Sequence, residues 1–225
     1  MQKKIAVIND LSGYGRCSLT VAIPVLSAMG HQCCPVPTAI LSNHTEFPVY
    51  FFDDYTEKMT PYTDKWKELG LSFDAIATGF LGSEAQIEIV MDIIQKLDAE
   101  KTFVVVDPVM GDHGHAYETY TPEMCEQMKE LVCMADVVLP NVTECCILTD
   151  TPYKEENWTR KELLNMAMML RLMGAKSVVI TGVRERSCYT NVVLEQGQYD
   201  AKFIRTRSYG GERPGTGDVF SSVVA

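Results

Sequence analysis

The sequence has no long hydrophobic run. Its apolar stretches reach only about five residues, far short of the roughly 18 that cross a bilayer, so no membrane-spanning segment is expected. It also lacks basic charge: 20 Lys and Arg stand against 30 Asp and Glu, a formal net charge of −10. With no Lys/Arg-rich stretch, no general nucleic-acid or membrane partner is expected. An anionic small molecule stays compatible, because local amides and a few cations can hold one. Cys-x-x-Cys is absent among the eight cysteines, and the four histidines (31, 44, 113, 115) fall in no zinc spacing. Buried, reduced thiols in a cytoplasmic protein are the expectation. Repeats, low-complexity tracts and linkers are absent too. Met1-Gln2-Lys3-Lys4 leads into residues 5–8 and then straight to Asn9-Asp10, which is not the pattern of a signal peptide.

What is present is an ordinary globular composition, 46% hydrophobic and 22% charged over 225 residues. That is enough for one domain, 1–225, with a full core. Short β-branched runs alternate with amphipathic helical stretches. Residues 5–8 read as a buried strand, followed by a helix over 19–29 that stops at Gly30. Residues 33–41 read as a second strand, which Pro35 and Pro37 push towards an edge. Residues 73–78 form a third. Ser83-Glu84-Ala85-Gln86 is a capping box opening a helix whose apolar face carries Ile87, Val90, Met91, Ile94 and Leu97. Strands follow at 102–106, 136–139 and 177–181. Helices open at Thr121-Pro122-Glu123, with proline in the first position, and at the capping box Thr159-Arg160-Lys161-Glu162. A hairpin of 188–194 with 199–205 precedes a Gly-rich loop and a last helical start. The pattern predicts an α/β three-layer sandwich with a mostly parallel central sheet. Residues 218–225 begin an apolar helix and stop without a cap or charged end, so the C-terminal end is expected to be truncated.

In open α/β sheets, ligands bind at the carboxyl ends of strands. After the first strand, Asn9-Asp10-Leu11-Ser12-Gly13-Tyr14-Gly15-Arg16 reads as a tight polar turn presenting Ser12. A dinucleotide fingerprint is disfavoured, because Ser18 stands at its third glycine and no acid follows the second strand. Ser42-Asn43-His44-Thr45 is either a surface turn or a ligand-binding segment level with Ser12. Asp107-Pro108-Val109-Met110-Gly111-Asp112 puts carboxylates at the end of a buried strand, where a hydrated Mg²⁺ would compensate them. The glycines and His115 beyond it suggest a mobile loop to Tyr120. In Pro140-Asn141-Val142-Thr143-Glu144, the amide and the acid either join that rim or simply cap a helix. Thr181-Gly182 ends a strand with a hydroxyl beside a glycine, which can approach a phosphate. Gly210-Gly211-Glu212-Arg213-Pro214-Gly215-Thr216-Gly217-Asp218 resembles a P-loop in spacing, but threonine replaces the lysine. It reads as an anion hole at a helix N-terminus, with Asp218 either complementing the dipole or acting as a general base.

Together these motifs, with Thr78-Gly79-Phe80-Leu81-Gly82, resemble the ribokinase-like small-molecule kinases, and within them the pyridoxal/pyridoxamine (vitamin B6) kinases. The likeness runs through nearly the whole chain; Gly215-Thr216-Gly217-Asp218 carries the superfamily, and residues 107–112 combined with the Ser12 and 42–45 segments carry the branch. The resemblance implies transfer of the ATP γ-phosphate to the 5′-hydroxyl of pyridoxal, pyridoxine or pyridoxamine. Asp218 would be the base, and the amides of Gly215, Thr216 and Gly217 would stabilise developing charge. Ser12, Asn43, His44, Thr45 and Phe80 would hold the substrate. Asp107, Asp112, Asn141, Glu144 and Thr181 would serve ATP, with Asp112 and Glu144 organising Mg²⁺ through water and Asp107 near a monovalent cation, K⁺. Residues 113–120 would form a lid. Leu139, Glu46 and Phe80 stand where many relatives carry threonine, glycine and tyrosine. A cytoplasmic homodimer is expected on the same ground. The alternatives are a hydroxymethylpyrimidine kinase and a non-catalytic B6 or nucleotide sensor.

Overall fold

The structure is a computed structural model that describes residues 2–45, 47–97, 102–211 and 213–225. Met1, Glu46 and Glu212, which belong to segments singled out above, lie outside the described residues. The fold is mixed α/β, with a large, mostly parallel central sheet. Two compact units divide the chain, Met1–Val105 with Glu212–Ala225, and Val106–Gly211.

The first unit contains β1 (Lys4–Tyr14), α1 (Leu19–Ala28), β2 (Gln32–Asn43), β3 (Phe52–Asp54), α2 (Thr56–Glu68), β4 (Ala75–Thr78), α3 (Glu84–Leu97) and all but the last residue of β5 (Phe103–Val106). Its strands lie in the order β5-β4-β1-β2-β3. β1 pairs in parallel with both β2 and β4, and β3 runs antiparallel to β2. Ile5, Ala6, Val7 and Ile8 are all buried, as a strand covered on both faces requires.

Three expectations are corrected here. β1 does not turn after residue 8 but continues to Tyr14, because β2 runs beside it as far as Asn43. Ser12 is therefore a strand residue, opposite Leu41, rather than the tip of a turn. The register shifts between Asn9 and Leu11, where β2 takes one extra residue, and such a bulge re-aims neighbouring side chains. β2 is not an edge strand, yet its prolines are still accommodated: β3 pairs only with Ala39–Leu41, so Pro35 and Pro37 face a partner on one side alone. The capping box of α3 is also modified. Ser83 Oγ accepts from Gln86 N, but Gln86 Oε1 reaches back one residue further, to Gly82 N at 2.8 Å.

The second unit contains β6 (Gly111–Asp112), β7 (His115–Ala116), α4 (Pro122–Cys133), β8 (Val137–Val138), α5 (Val142–Leu148), α6 (Arg160–Met173), β9 (Ser177–Glu185), β10 (Cys188–Leu194) and β11 (Lys202–Arg207). Its main strands lie in the order β8-β9-β10-β11, parallel at β8–β9 and antiparallel beyond. β9 does not end at Thr181-Gly182. It takes an extra residue there, with Gly182 at φ +68°, and goes on to Glu185. The segment read as a mobile loop is a two-stranded ribbon, β6–β7, tied to α5 by a bond from Gly114 N to Thr143 Oγ1 of 2.9 Å. Its turn needs positive φ at His113 and Gly114, which the glycine supplies without strain. Of the eight free cysteines only Cys17, Cys145 and Cys146 are buried; Cys133 is exposed and the others are intermediate.

The chain closes with α7 (Thr216–Val224), which belongs to the first unit and packs against α1. Among the described residues, no helix is long and apolar enough to cross a membrane.

Candidate active site

In the first unit the chemistry gathers around the N-terminus of α7. Gly215 is the N-cap in a left-handed conformation, φ +79°, and a Cβ there would stand 1.9 Å from the Arg16 carbonyl oxygen. The glycine is thus required twice, by its dihedral and by the close approach of the turn after β1. Thr216, Gly217 and Asp218 form the first turn, whose amides have no partner within the helix. Asp218 Oδ1 accepts a 3.3 Å bond from Asn9 Nδ2. Asn9 is buried, and its Oδ1 accepts from Asp10 N and from Phe80 N at 3.0 and 2.9 Å. Asn9 thereby joins β1, the segment after β4 and α7. Gly79 permits this, since a Cβ there would come within 2.3 Å of Asn9 Nδ2.

Ser12 is 1% exposed, and its hydroxyl donates to Asp10 Oδ2 at 2.9 Å, leaving only an acceptor lone pair for anything else. Asp10 is itself 6% exposed. Burial pushes the Asp10 carboxyl up, against the opposing effect of bonds from Ser18 and Ser12. Burial likewise pushes Asp218 up. The Ser18 backbone N–H and Asn9 act against that shift, and the charge of Asp10 adds to it. The Cys17 thiol is raised by burial and by both carboxylates.

The 42–45 segment proves to be two different things. Asn43 holds the following loop together, donating to Val49 O at 3.0 Å and to His44 O at 3.4 Å, while its Oδ1 accepts from Ser42 Oγ at 2.6 Å. His44 is seated against Gly15 and against the Phe47 ring, 4.6 Å between centroids. Thr45 is exposed. Phe80 is half-buried, its backbone held by Asn9 and by Thr38 Oγ1. Asn43 and His44 therefore shape the loop, and Thr45 and the Phe80 ring are the parts with freedom to meet a ligand.

In the second unit, Asn141 and Glu144 form a full capping box on α5: Asn141 Oδ1 accepts from Glu144 N, and Glu144 Oε2 accepts from Asn141 N at 2.7 Å. Glu144 Oε1 accepts from Met110 N at 3.2 Å, and Asn141 Nδ2 donates to Gly111 O at 2.9 Å. The cap thus also fixes the strand end that carries Asp107 and Asp112. Glu144 is 3% exposed, and burial, then Asp107 and Asp112, hold its carboxyl well above the ordinary range despite the two N–H donors. Asp112 is exposed and accepts from His113 N at 2.8 Å. Thr181 N donates to Pro140 O at 2.8 Å, which sets its hydroxyl beside the start of α5. Among the described residues, no three His, Cys, Asp or Glu side chains converge closely enough to ligate a bare metal ion. A hydrated Mg²⁺ asks for less, one or two carboxylates with water and phosphate oxygens. A buried acid under repulsion from two neighbours fits such a cation.

Asn9, Asp10 and Ser18 were not assigned roles from sequence. Asn9 and Asp10 stood in a recognisable motif, but Gly79, which admits the Asn9 side chain, is 70 residues distant. Ser18 entered the sequence reading only as a mismatch to a glycine fingerprint; it is a non-glycine residue at φ +52°, ψ −133°.

A family model described as phosphomethylpyrimidine kinase matches residues 22–225. A protein of Bacteroides thetaiotaomicron VPI-5482 described as a phosphomethylpyrimidine kinase, in a crystal form with pyridoxal, is 42% identical with a TM-score of 0.93, covering 100% of this chain and 79% of that one. The pyridoxal kinase of Lactobacillus plantarum is 30% identical with a TM-score of 0.90, over 100% of this chain and 80% of that one. The pyridoxal kinase of Dictyostelium discoideum is 28% identical over 190 residues, 81% of this chain but only 61% of that protein's length. This chain belongs to the phosphomethylpyrimidine kinase family, in the ribokinase-like superfamily that includes the pyridoxal kinases.

Proposed function

We propose that this chain, as one kinase domain, transfers the γ-phosphate of ATP to the 5′-hydroxyl of pyridoxal, pyridoxamine or pyridoxine. The observation that carries the reading is Asp218, a carboxylate of raised proton affinity in the first turn of a glycine-led helix. The likeness to a relative crystallised with pyridoxal supports the B6 branch.

In this mechanism the acceptor hydroxyl donates its proton to Asp218 as its oxygen bonds to the γ-phosphorus. The bond from that phosphorus to the β–γ bridging oxygen breaks, and its electron pair leaves with ADP. Phosphoryl transfer asks the protein mainly for positioning and charge stabilisation. The amides of Gly215, Thr216 and Gly217, with the positive end of the α7 dipole, meet the charge on the transferring group. A base whose pKa lies closer to neutrality takes the proton more readily than an ordinary carboxylate. Thr45 and Phe80 face the ring, with Ser12 accepting a hydrogen bond and Asn43 and His44 holding the loop.

On the nucleotide side, Asp112 and Glu144 would organise Mg²⁺ through water, with Asp107 near a monovalent cation. Asn141 and Thr181 position that rim. Bound Mg²⁺ supplies neutralisation of phosphate charge. Leu139 is buried and apolar, so a K⁺ beside Asp107 would rest on backbone carbonyls for its other ligands. The setting is a cytoplasmic homodimer. Hydroxymethylpyrimidine is the rival acceptor, favoured by the description of the family model.

The test is ADP release with Mg²⁺–ATP and, side by side, pyridoxal, pyridoxamine, pyridoxine and hydroxymethylpyrimidine. Release that requires a B6 vitamer is the expected result. Release with the pyrimidine alone would move the assignment to that branch, and ligand binding with no release from any of the four would make the chain a sensor.

A further inference from the structure

Beyond the end of β4 the main chain is held by side chains. Pairing of β4 with β1 ends at Thr78, and one further backbone bond, Gly79 N to Ile8 O at 2.9 Å, closes the ladder. Phe80 N then donates to Asn9 Oδ1 of β1 at 2.9 Å, and Phe80 O accepts from Thr38 Oγ1 of β2 at 3.0 Å. Gly82 N donates to Gln86 Oε1 of α3 at 2.8 Å, and Gln86 Nε2 donates back to Thr38 O at 2.9 Å. Thr38 thus grips this segment through its hydroxyl and braces it through its carbonyl. Asn9 and Thr38 flank the register shift between β1 and β2: Asn9 stands opposite Pro37, the next pair is Leu11 with Ile40, and the additional residue of β2 falls at Thr38 and Ala39. A bulge turns side chains out of the regular alternation. Here it leaves Thr38 and Ala39, neighbours in sequence, both buried at 0% and 1% exposure. A valine at position 38 would have the β-branched shape a strand favours and would spare the fold a buried hydroxyl. The bond that the hydroxyl makes is to Phe80, whose ring has freedom to meet a ligand.

We propose that Thr38 is a positioning residue for the acceptor substrate: by holding Phe80 O it fixes the angle at which the Phe80 ring meets the acceptor, and so governs acceptor affinity rather than phosphoryl transfer. The inference rests on the placement of Phe80 at the substrate. Asn9 holds the other main-chain polar group of Phe80 but also donates to Asp218, so a change there disturbs the base and the ring together. The Thr38 hydroxyl bonds to Phe80 O, which makes the two effects separable.

The test is a double-mutant cycle on the acceptor KM with Thr38→Val and Phe80→Leu. Thr38→Val should raise that KM about fivefold, the worth of one hydrogen bond, with kcat and the KM for ATP nearly unchanged. Thr38→Ser, which keeps the hydroxyl, should restore the wild-type KM. In the Phe80→Leu background Thr38→Val should add nothing, since the ring it orients is gone. Equal effects with and without the ring, or a loss of stability with an unmoved KM, would show a role in the fold alone and overturn the inference. Should Thr38→Val not fold, Thr38→Ala takes its place in the cycle, with Thr38→Ser again as the rescue. The acceptor used is the one that the wild type phosphorylates, and a dissociation constant replaces KM where nothing is turned over. A pyrimidine acceptor would therefore change the proposed substrate and leave this test standing. A wild-type KM in Phe80→Leu would remove Phe80 from the substrate and overturn the inference with it.

Discussion

Two groups of acids on this chain are built in opposite ways. In the second unit, both oxygens of Glu144 accept backbone N–H groups, one from its own helix cap and one from Met110. In the first unit, Asp10 accepts from the Ser12 hydroxyl and Asp218 from the Asn9 side-chain amide. Burial raises the proton affinity of all three. The difference lies in what each can still do. Glu144 is fixed as part of a helix start, and it contributes charge and shape. Asp218 is held through a single long bond to Asn9, which leaves lone pairs for an incoming hydroxyl. On the proposed reading, a buried carboxylate thus serves as scaffold in one environment and as proton acceptor in the other.

The sharpest way to break this contrast is Asp218→Asn. Turnover should fall about 10²–10⁴-fold, the usual worth of a general base, with nucleotide affinity unchanged by calorimetry. Near-normal turnover would put Asp218 among the scaffold acids. Gly215→Ala should come next, since it forces a side chain into positive φ and against the Arg16 carbonyl. A loss of about 3 kcal/mol in denaturant unfolding is expected. A loss of a few tenths would mean that the turn after β1 yields easily.

The pH dependence of stability sharpens the comparison for the raised acids together. A carboxylate held above its ordinary value keeps its proton longer folded than unfolded. Its stabilisation is complete below the unfolded value, 3.8 for Asp and 4.5 for Glu, and is lost as pH rises through the folded one. The denaturation midpoint without nucleotide should therefore fall on going from mildly acidic to neutral pH, and Mg²⁺ should reduce the fall if it offsets the repulsion at Glu144. Glu162, pulled down to about 2 by Lys154 and the Thr159 cap, has the opposite slope: its contribution is present above 4.5 and lost as pH drops towards 2. The smallest effect expected is for Thr78→Val. Thr78 Oγ1 is buried without a hydrogen-bond partner, so the variant should gain about 1 kcal/mol.

How far the sequence could be read depended on how local the deciding forces were. The capping box at Thr159 lies within four residues and was legible, whereas at Asn141 and Glu144 a helix cap stood only as one alternative beside a cation-site acid, and the structure shows a full box. The turn predicted at residues 9–16 was misread, because pairing with β2 as far as Asn43 decides it, and no local propensity reports a partner strand. The loop predicted to reach Tyr120 begins instead as a ribbon over 111–116, since its tie to Thr143 comes from another element.

By itself the sequence determined the alternation of strands and helices, the glycine-led start of α7 and the presence of acids at strand ends. Hydrophobic period, caps and left-handed glycines are properties of a few consecutive residues. Only the tertiary structure decided that Asn9 would reach Asp218, 209 positions away, and that Gly79 would make room for it. Those contacts exist because β1 and α7 are brought together by core burial, and the environment that tunes an acid is made of neighbours in space.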